Sequence, residues 1–376
     1  TEKTGATFIE FPENISKLDS SEQPLPVAHP TLPEPPSEQV KKAAKIISEA
    51  KQPIILAGNG VIRTHANKEL AEFAEKLNIP LTNTFMAKGI IPFKHPMALG
   101  SAGLQAQDYI NFGFEKADVV ICVGYDLVEY HPHLWHPTAD RKIVHIDSSP
   151  AEVDGNYTVA VGVVGDISHS LQRIADIAQP HQGHTLRKLR KALIEEMNLH
   201  RDDGFFPMKP QKIIWDLRTV LGLEDIVICD VGAHKMWMAR MFRCEYPNTC
   251  IISNGFASMG IAVPGAIAAK MAFPERKVVA VTGDAGFLMN SQEIETALRL
   301  NVPIVVLIWN DSGYGLIEWK QMTTFGRASH VSFNNPDFAK YAQSFGANGY
   351  KITQADELMP VLKQALADKT LSIIDC

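Results

Sequence analysis

Gly283-Asp284-Ala285 follows an apolar run at 277–281, and a second acid, Asp311, follows an apolar run at 303–309. Each run reads as a buried strand, with one predicted helix, 291–299, between them. A strand–helix–strand unit of a parallel sheet brings its two strand ends, and hence both acids, to the same edge. Paired carboxylates are what a magnesium ion uses when phosphate oxygens complete its octahedral shell, so the pair suits a magnesium ion holding a diphosphate. The simpler reading makes each aspartate a turn former or helix cap, roles that Asp favours. Asn290 with Glu293 already forms a capping box for helix 291–299, which takes that task away from Asp284.

Four strand ends in the unit after Pro210 carry small or polar residues: Asp230-Val231-Gly232-Ala233-His234, Ser253-Asn254-Gly255-Phe256, Gly283-Asp284-Ala285-Gly286 and Asn310-Asp311-Ser312-Gly313. Glycine lets backbone approach a phosphate, and a helix N-terminus offers unpaired N–H groups to an anion. A loop carbonyl such as that of Gly313 would add a third oxygen donor.

The elements that must position these residues alternate. Ser37 caps a helix at 38–50 whose apolar stripe is Val40, Ala43, Ala44 and Ile47. Strand 53–57, helix 66–77, strand 79–82, helix 105–111, strands 118–123 and 142–146 and a helix 167–178 capped by Asp166 follow. After Pro210 come helix 210–221, strands 225–229 and 249–252, helix 258–271, strand 277–281, helix 291–299, strand 303–309, helix 336–344, strand 347–352, helix 355–367 and strand 371–375. This pattern predicts an α/β protein with two doubly wound parallel-sheet domains, a middle Rossmann-like domain at 37–178 and a diphosphate-binding domain at 209–376. Residues 20–36 hold Pro24, Pro26, Pro30, Pro33, Pro35 and Pro36 and read as an extended linker. Residues 179–208 read as a second linker carrying a surface helix at 185–198. Residues 1–19 begin with a strand-like segment, Ala6-Thr7-Phe8-Ile9-Glu10-Phe11, and the chain closes on another, so it reads as a fragment.

Composition narrows the function. The chain has 376 residues, a net charge of −6, 45% hydrophobic and 21% charged residues. That suits a soluble globular protein of two or three domains and gives no electrostatic footprint for nucleic acid or a membrane surface. No apolar run is long enough to span a bilayer. Cys122, Cys229, Cys244, Cys250 and Cys376 show no metal-binding spacing and read as buried free thiols in a reducing, cytoplasmic setting.

Weaker signals have plain explanations. Gly58-Asn59-Gly60 after a strand marks a tight turn, or else the phosphate turn of a flavin- or nicotinamide-binding oxidoreductase. His131, His133 and His136 could form a metal cluster, but two prolines among them favour a surface loop. Glu318-Trp319-Lys320-Gln321 sits on a surface helix or one beside the site.

Gly283-Asp284-Ala285, then Asn310-Asp311 after one helix, resembles the Gly-Asp-Gly…Asn-Asn cofactor motif of thiamine-diphosphate enzymes of the acetolactate synthase group. Glu293-Ile294-Glu295-Thr296-Ala297, His234-Lys235-Met236-Trp237 and Ser253-Asn254-Gly255 are similar to that group too. Gly124-Tyr125-Asp126-Leu127-Val128-Glu129-Tyr130 and His145-Ile146-Asp147 resemble its catabolic, flavin-independent branch. The resemblance implies thiamine diphosphate and Mg²⁺ as cofactors, and condensation of two pyruvates to 2-acetolactate with loss of CO₂, in a homodimer or homotetramer. It implies Asp284, Asp311 and Gly313 as metal ligands. Gly232, Ala233, His234, Gly255, Phe256, Gly283, Ala285, Gly286 and Tyr314 would contact cofactor, with Met259 beneath it. It also implies that residues 1–19 are the tail of an N-terminal pyrimidine-binding domain. That domain would hold the activating glutamate, so no catalytic residue is assigned here and the fragment alone is expected to be inactive. Two departures stand out. Ala285 replaces the second glycine of the motif, and Phe256-Ala257 stand where relatives often carry glutamine. The second leaves open another thiamine-diphosphate 2-keto-acid decarboxylase or lyase. A non-catalytic module that kept the fold is a further alternative.

Overall fold

The computed structural model describes residues 4–27, 31–103, 108–182 and 186–376. Twelve named strands form two six-stranded sheets. The first holds β1 (Pro53–Ala57), β2 (Leu81–Asn83), β3 (Ala98–Ser101), β4 (Val119–Val123), β5 (Lys142–Asp147) and β6 (Val159–Val164), in the order β3-β2-β1-β4-β5-β6. The second holds β7 (Ile226–Cys229), β8 (Cys250–Ile252), β9 (Val278–Gly283), β10 (Val305–Trp309), β11 (Asn348–Lys351) and β12 (Ser372–Asp375), in the order β11-β12-β10-β9-β7-β8. All pairings between the named strands are parallel. β1 and β4 are buried along their whole length, as continuous apolar runs require when helices cover both sheet faces.

Helices supply that cover. Ser37–Glu49 buries Val40, Ala43, Ala44 and Ile47, the stripe read from sequence. Ser37 is its first residue rather than its cap, and its hydroxyl accepts from Arg173 Nη2 at 2.7 Å. Asp166 does cap its helix, accepting from the His169 amide at 2.9 Å.

Several expectations need correction. Ala6–Phe11 forms no strand; a short helix, Glu13–Ser16, follows, and Phe8 and Ile9 are exposed. A strand exists only within a ladder, and no strand of either sheet pairs with this segment. β3 and β6 escaped sequence reading because they are edge strands interrupted by Gly100 and Gly162. The helix expected at 105–111 runs Tyr109–Lys116, and residues 104–107 lie outside the described residues. The helix expected at 258–271 begins only at Ala262, because Gly260 sits at φ +87° and the Asp230 carboxylate holds the Gly260 and Ala262 amides. The Asn290–Glu293 capping box does not form; Asn290 Nδ2 instead donates to the Gly260 carbonyl at 2.9 Å.

The helix of the second linker, Arg187–Asn198, is not a surface element. Leu193 and Met197 are buried with the core of the second sheet, while Leu186 is buried with the first. It lies in the seam between the sheets. There Arg240 pairs with Asp108, and with Glu196 at 3.1 Å, while Lys88 Nζ donates to the Ala239 carbonyl at 2.7 Å. These bonds fix the second sheet against the first. No helix among the described residues is long and apolar enough to cross a membrane.

Candidate diphosphate and metal site

A cavity of about 440 Å³ opens at the carboxyl ends of β7, β9 and β10, where open α/β sheets bind ligands. β9 and β10 pair through Gly283 and Trp309, so Asp284 and Asn310-Asp311 emerge side by side. Asp284 is buried and starts a short helix, Asp284–Met289. Its Oδ1 accepts from the Ala285 amide at 2.7 Å, and its Oδ2 accepts from the Ser312 amide at 2.7 Å and from Asn335 Nδ2 at 2.6 Å.

Asp311 also lines the cavity. Burial and the charge of Asp284 together hold its carboxyl above the usual carboxylate range. A Cβ on Gly315 would lie 2.8 Å from Asp311 Oδ2, so glycine at that position leaves room for the acid. Two acids that repel each other, Asp284 buried and Asp311 exposed at the cavity, suit a divalent cation, which replaces repulsion by attraction to both. Gly313 lines the same wall, held by its bridge to Ser332 and by the Tyr314 amide donating to Val331 at 2.8 Å.

The N-terminus of helix Ala233–Met241, preceded by Gly232, also lines the cavity. Its first amides and dipole favour an anion there. His234 is buried, and burial lowers its ring to about 4, so the imidazole is neutral at neutral pH. Its Nε2 is buried without a hydrogen-bond partner, a polar atom for which a ligand would provide one. Met259 lines the cavity, on a loop anchored by the Gly260 amide donating to Asp230 Oδ1 at 2.8 Å.

Gly283, Ala285, Gly286 and Tyr314 all face the cavity. Ala285 lies within the Asp284–Met289 helix, so the methyl group that departs from the motif is accommodated. Gly286 has less room: an added Cβ would meet Thr282 Oγ1 at 3.0 Å. Gly255 and Phe256 are not brought to the cavity. The chain leaves edge strand β8 and carries Phe256 into full exposure. Sequence reading assigned no site role to Trp237, Trp309, Met208 or Asn335. The first three line the cavity, and Asn335 bonds to Asp284 from a remote loop.

The weaker signals resolve as follows. Gly58 and Gly60 pack against Gly124, where a Cβ on Gly58 would lie 2.4 Å from the Gly124 oxygen. The Asn59 amide between them donates to both carboxylate oxygens of Glu129, at 3.1 and 3.0 Å. His136 is buried apart from the exposed His131 and His133, and no group of three metal-ligating side chains of the His, Cys, Asp and Glu types occurs among the described residues. All five cysteines are free. Helix Gly315–Phe325 begins at the cavity wall, so Glu318-Trp319-Lys320-Gln321 stand near it, on a helix with no buried residue.

The donor set therefore fits a divalent cation and a diphosphate. Comparison with known proteins agrees. Residues 230–376 match the family described as thiamine pyrophosphate enzyme, C-terminal TPP binding domain, and residues 40–174 match the thiamine pyrophosphate enzyme central domain. The chain is 34% identical to an acetolactate synthase of Bacillus subtilis over 99% of its own length and 67% of that protein. It is 34% identical to a probable acetolactate synthase large subunit of Methanocaldococcus jannaschii, over 100% of the chain and 67% of the relative. A catabolic acetolactate synthase of Raoultella terrigena is 31% identical over 97% of the chain and 66% of its own length. The chain thus spans about two thirds of these relatives, and it belongs to the acetolactate-synthase-like group of thiamine-diphosphate-dependent enzymes, whose cofactors are thiamine diphosphate and Mg²⁺.

Proposed function

We propose that this chain supplies the metal–diphosphate half of an acetolactate synthase that joins two pyruvates to 2-acetolactate with release of CO₂. The observation that carries this reading is the meeting of Asp284 and Asp311 in one cavity at neighbouring strand tips. When bound, thiamine diphosphate serves as the carbanion sink for decarboxylation and carbon–carbon bond formation. The residues of this chain bind and orient it. Asp284, Asp311 and the Gly313 carbonyl hold the cation. The N-terminus of helix Ala233–Met241 and the neutral His234 face the diphosphate without adding a competing charge, and Met259 supports the cofactor from its anchored loop. In this reading residues 37–178 form the spacer domain, 209–376 the diphosphate domain, and the working enzyme is a cytoplasmic homodimer or homotetramer.

Asp284 and Asp311 are the only Asp or Glu side chains lining the cavity among the described residues. Both are committed to the cation, which leaves no carboxylate to activate the cofactor. This chain alone is therefore expected to bind cofactor yet form no acetolactate. A flavin-binding reading has less support, since Glu129 engages the amide of the Gly58–Gly60 turn. The test is calorimetric titration with thiamine diphosphate, with and without Mg²⁺, alongside product analysis after incubation with pyruvate. Metal-independent binding, or no binding at all, would refute the proposal. Acetolactate formed by this chain alone would refute the assignment of half a site.

A further inference from the structure

Asn335 lies between helices Gly315–Phe325 and Phe338–Ser344, far in sequence from Asp284. Its Nδ2 donates to Asp284 Oδ2 at 2.6 Å and to Asn310 Oδ1 at 2.9 Å, joining the tips of β9 and β10 through one amide group. Asp284 Oδ2 also accepts from the Ser312 amide and Oδ1 from the Ala285 amide, both at 2.7 Å. An ionised carboxylate offers about four lone-pair directions. Protein donors take three of them, which fixes the side-chain torsions and leaves one direction for a cation. Asn310 is held from its other end as well, its Nδ2 donating to Asp375 Oδ1 at 2.9 Å.

The orientation of the Asn335 amide is informative. Its Oδ1 is buried and has no hydrogen-bond partner. Flipping the amide would set that oxygen against the Asp284 carboxylate and remove both donated bonds. The observed orientation thus serves Asp284 and Asn310 at the expense of Asn335's own oxygen, which is hard to explain if the residue only fastens a loop.

We propose that Asn335 is a positioning residue for the cation seat, holding the Asp284 carboxylate in the rotamer that binds Mg²⁺. The inference rests on the assignment of Asp284 as a metal ligand. Outer-shell partners of metal ligands typically control about 10–100-fold in metal affinity.

The test is calorimetry on the full chain in two modes: Mg²⁺ titrated at fixed thiamine diphosphate, and thiamine diphosphate titrated at saturating Mg²⁺. Asn335→Leu keeps the branched shape of the side chain and removes the donor. The expected result is a Mg²⁺ half-saturation raised about 10–100-fold, with thiamine diphosphate affinity at saturating Mg²⁺ unchanged. If Asn335→Leu does not fold, Asn335→Gln carries the test. It keeps the amide but misplaces it, and the same separation of the two affinities is expected. An unchanged Mg²⁺ requirement overturns the proposal. So does a joint loss of both affinities and of thermal midpoint, which is the signature of a structural role. If the unaltered chain shows no Mg²⁺-dependent binding, the assignment of Asp284 fails and this proposal fails with it. If the unaltered chain binds and the variant binds equally well, the Asn335 proposal alone fails.

Discussion

The Ser312 amide donates to Asp284 Oδ2 at 2.7 Å, so the acid at the end of β9 is bonded to the residue that follows the acid at the end of β10. This bond sets the spacing of Asp284 and Asp311 before any cation arrives. A seat built in advance spends little binding energy on ordering itself.

Replacing Asp284 removes both the charge and the acceptor. Asp284→Ala is expected to abolish Mg²⁺-dependent binding of thiamine diphosphate in a calorimetric titration. It leaves the Ser312 and Ala285 amides without their carboxylate acceptor and removes one of the two bonds donated by Asn335 Nδ2, at a cost of about 1–3 kcal/mol for each donor left buried and unpaired. Retained metal-dependent binding would place the cation elsewhere.

Gly315 tests the second acid without removing it. Gly315→Ala places a methyl carbon 2.8 Å from Asp311 Oδ2, and the carboxylate must swing away. The helix that begins at Gly315 gains about 0.5–1 kcal/mol of local stability from alanine at most, so folding should be largely preserved. The expected outcome is a Mg²⁺ half-saturation shifted to higher concentration with an intact thermal transition, read by titration and calorimetry on the same sample.

Glu129 predicts a pH dependence in the first sheet domain. Burial raises its carboxyl from 4.5 to about 7, against the opposing effects of Thr84, the Asn59 and Asp126 amides and Arg63. At pH below 4.5 both folded and unfolded chains carry the proton. As pH rises, the unfolded chain releases it first while the folded chain holds it to about 7, so this group's contribution to stability falls across that window. At about 1.36 kcal/mol per unit the loss is on the order of 3 kcal/mol. Denaturant unfolding of Glu129→Gln at pH 5 and pH 8 should show a smaller difference than the unaltered chain; an equal difference would assign the effect to other groups.

Arg240 tests the seam. Its guanidinium pairs with the buried Asp108 and, at 3.1 Å, with Glu196 on the linker helix. Arg240→Ala leaves the Asp108 carboxylate buried without its cation, a loss of about 3–5 kcal/mol. Helix Ala233–Met241, which carries both Arg240 and the cavity residue His234, should then loosen. Denaturant unfolding measures the first effect and thiamine diphosphate titration the second.

Much of the fold was legible because its signals are local. β1 coincides with the apolar run expected at 53–57, and Asp166 caps its helix, since periodicity and capping depend on residues close together in the chain. The Asn290–Glu293 capping box failed for the opposite reason: a partner remote in sequence, the Gly260 carbonyl, took the Asn290 side chain.

The amino-acid sequence by itself determined the alternation of strands and helices and the placing of Asp284 and Asp311 just beyond buried strands, because one-dimensional patterns encode strand ends and their polar tips. Only the tertiary structure decided that Asn335 reaches Asp284, that helix Arg187–Asn198 lies in the seam, and that Phe256 stands in solvent. Each of those depends on which distant segments come into contact, and that is settled by packing two sheets against one another rather than by the spacing of residues along the chain.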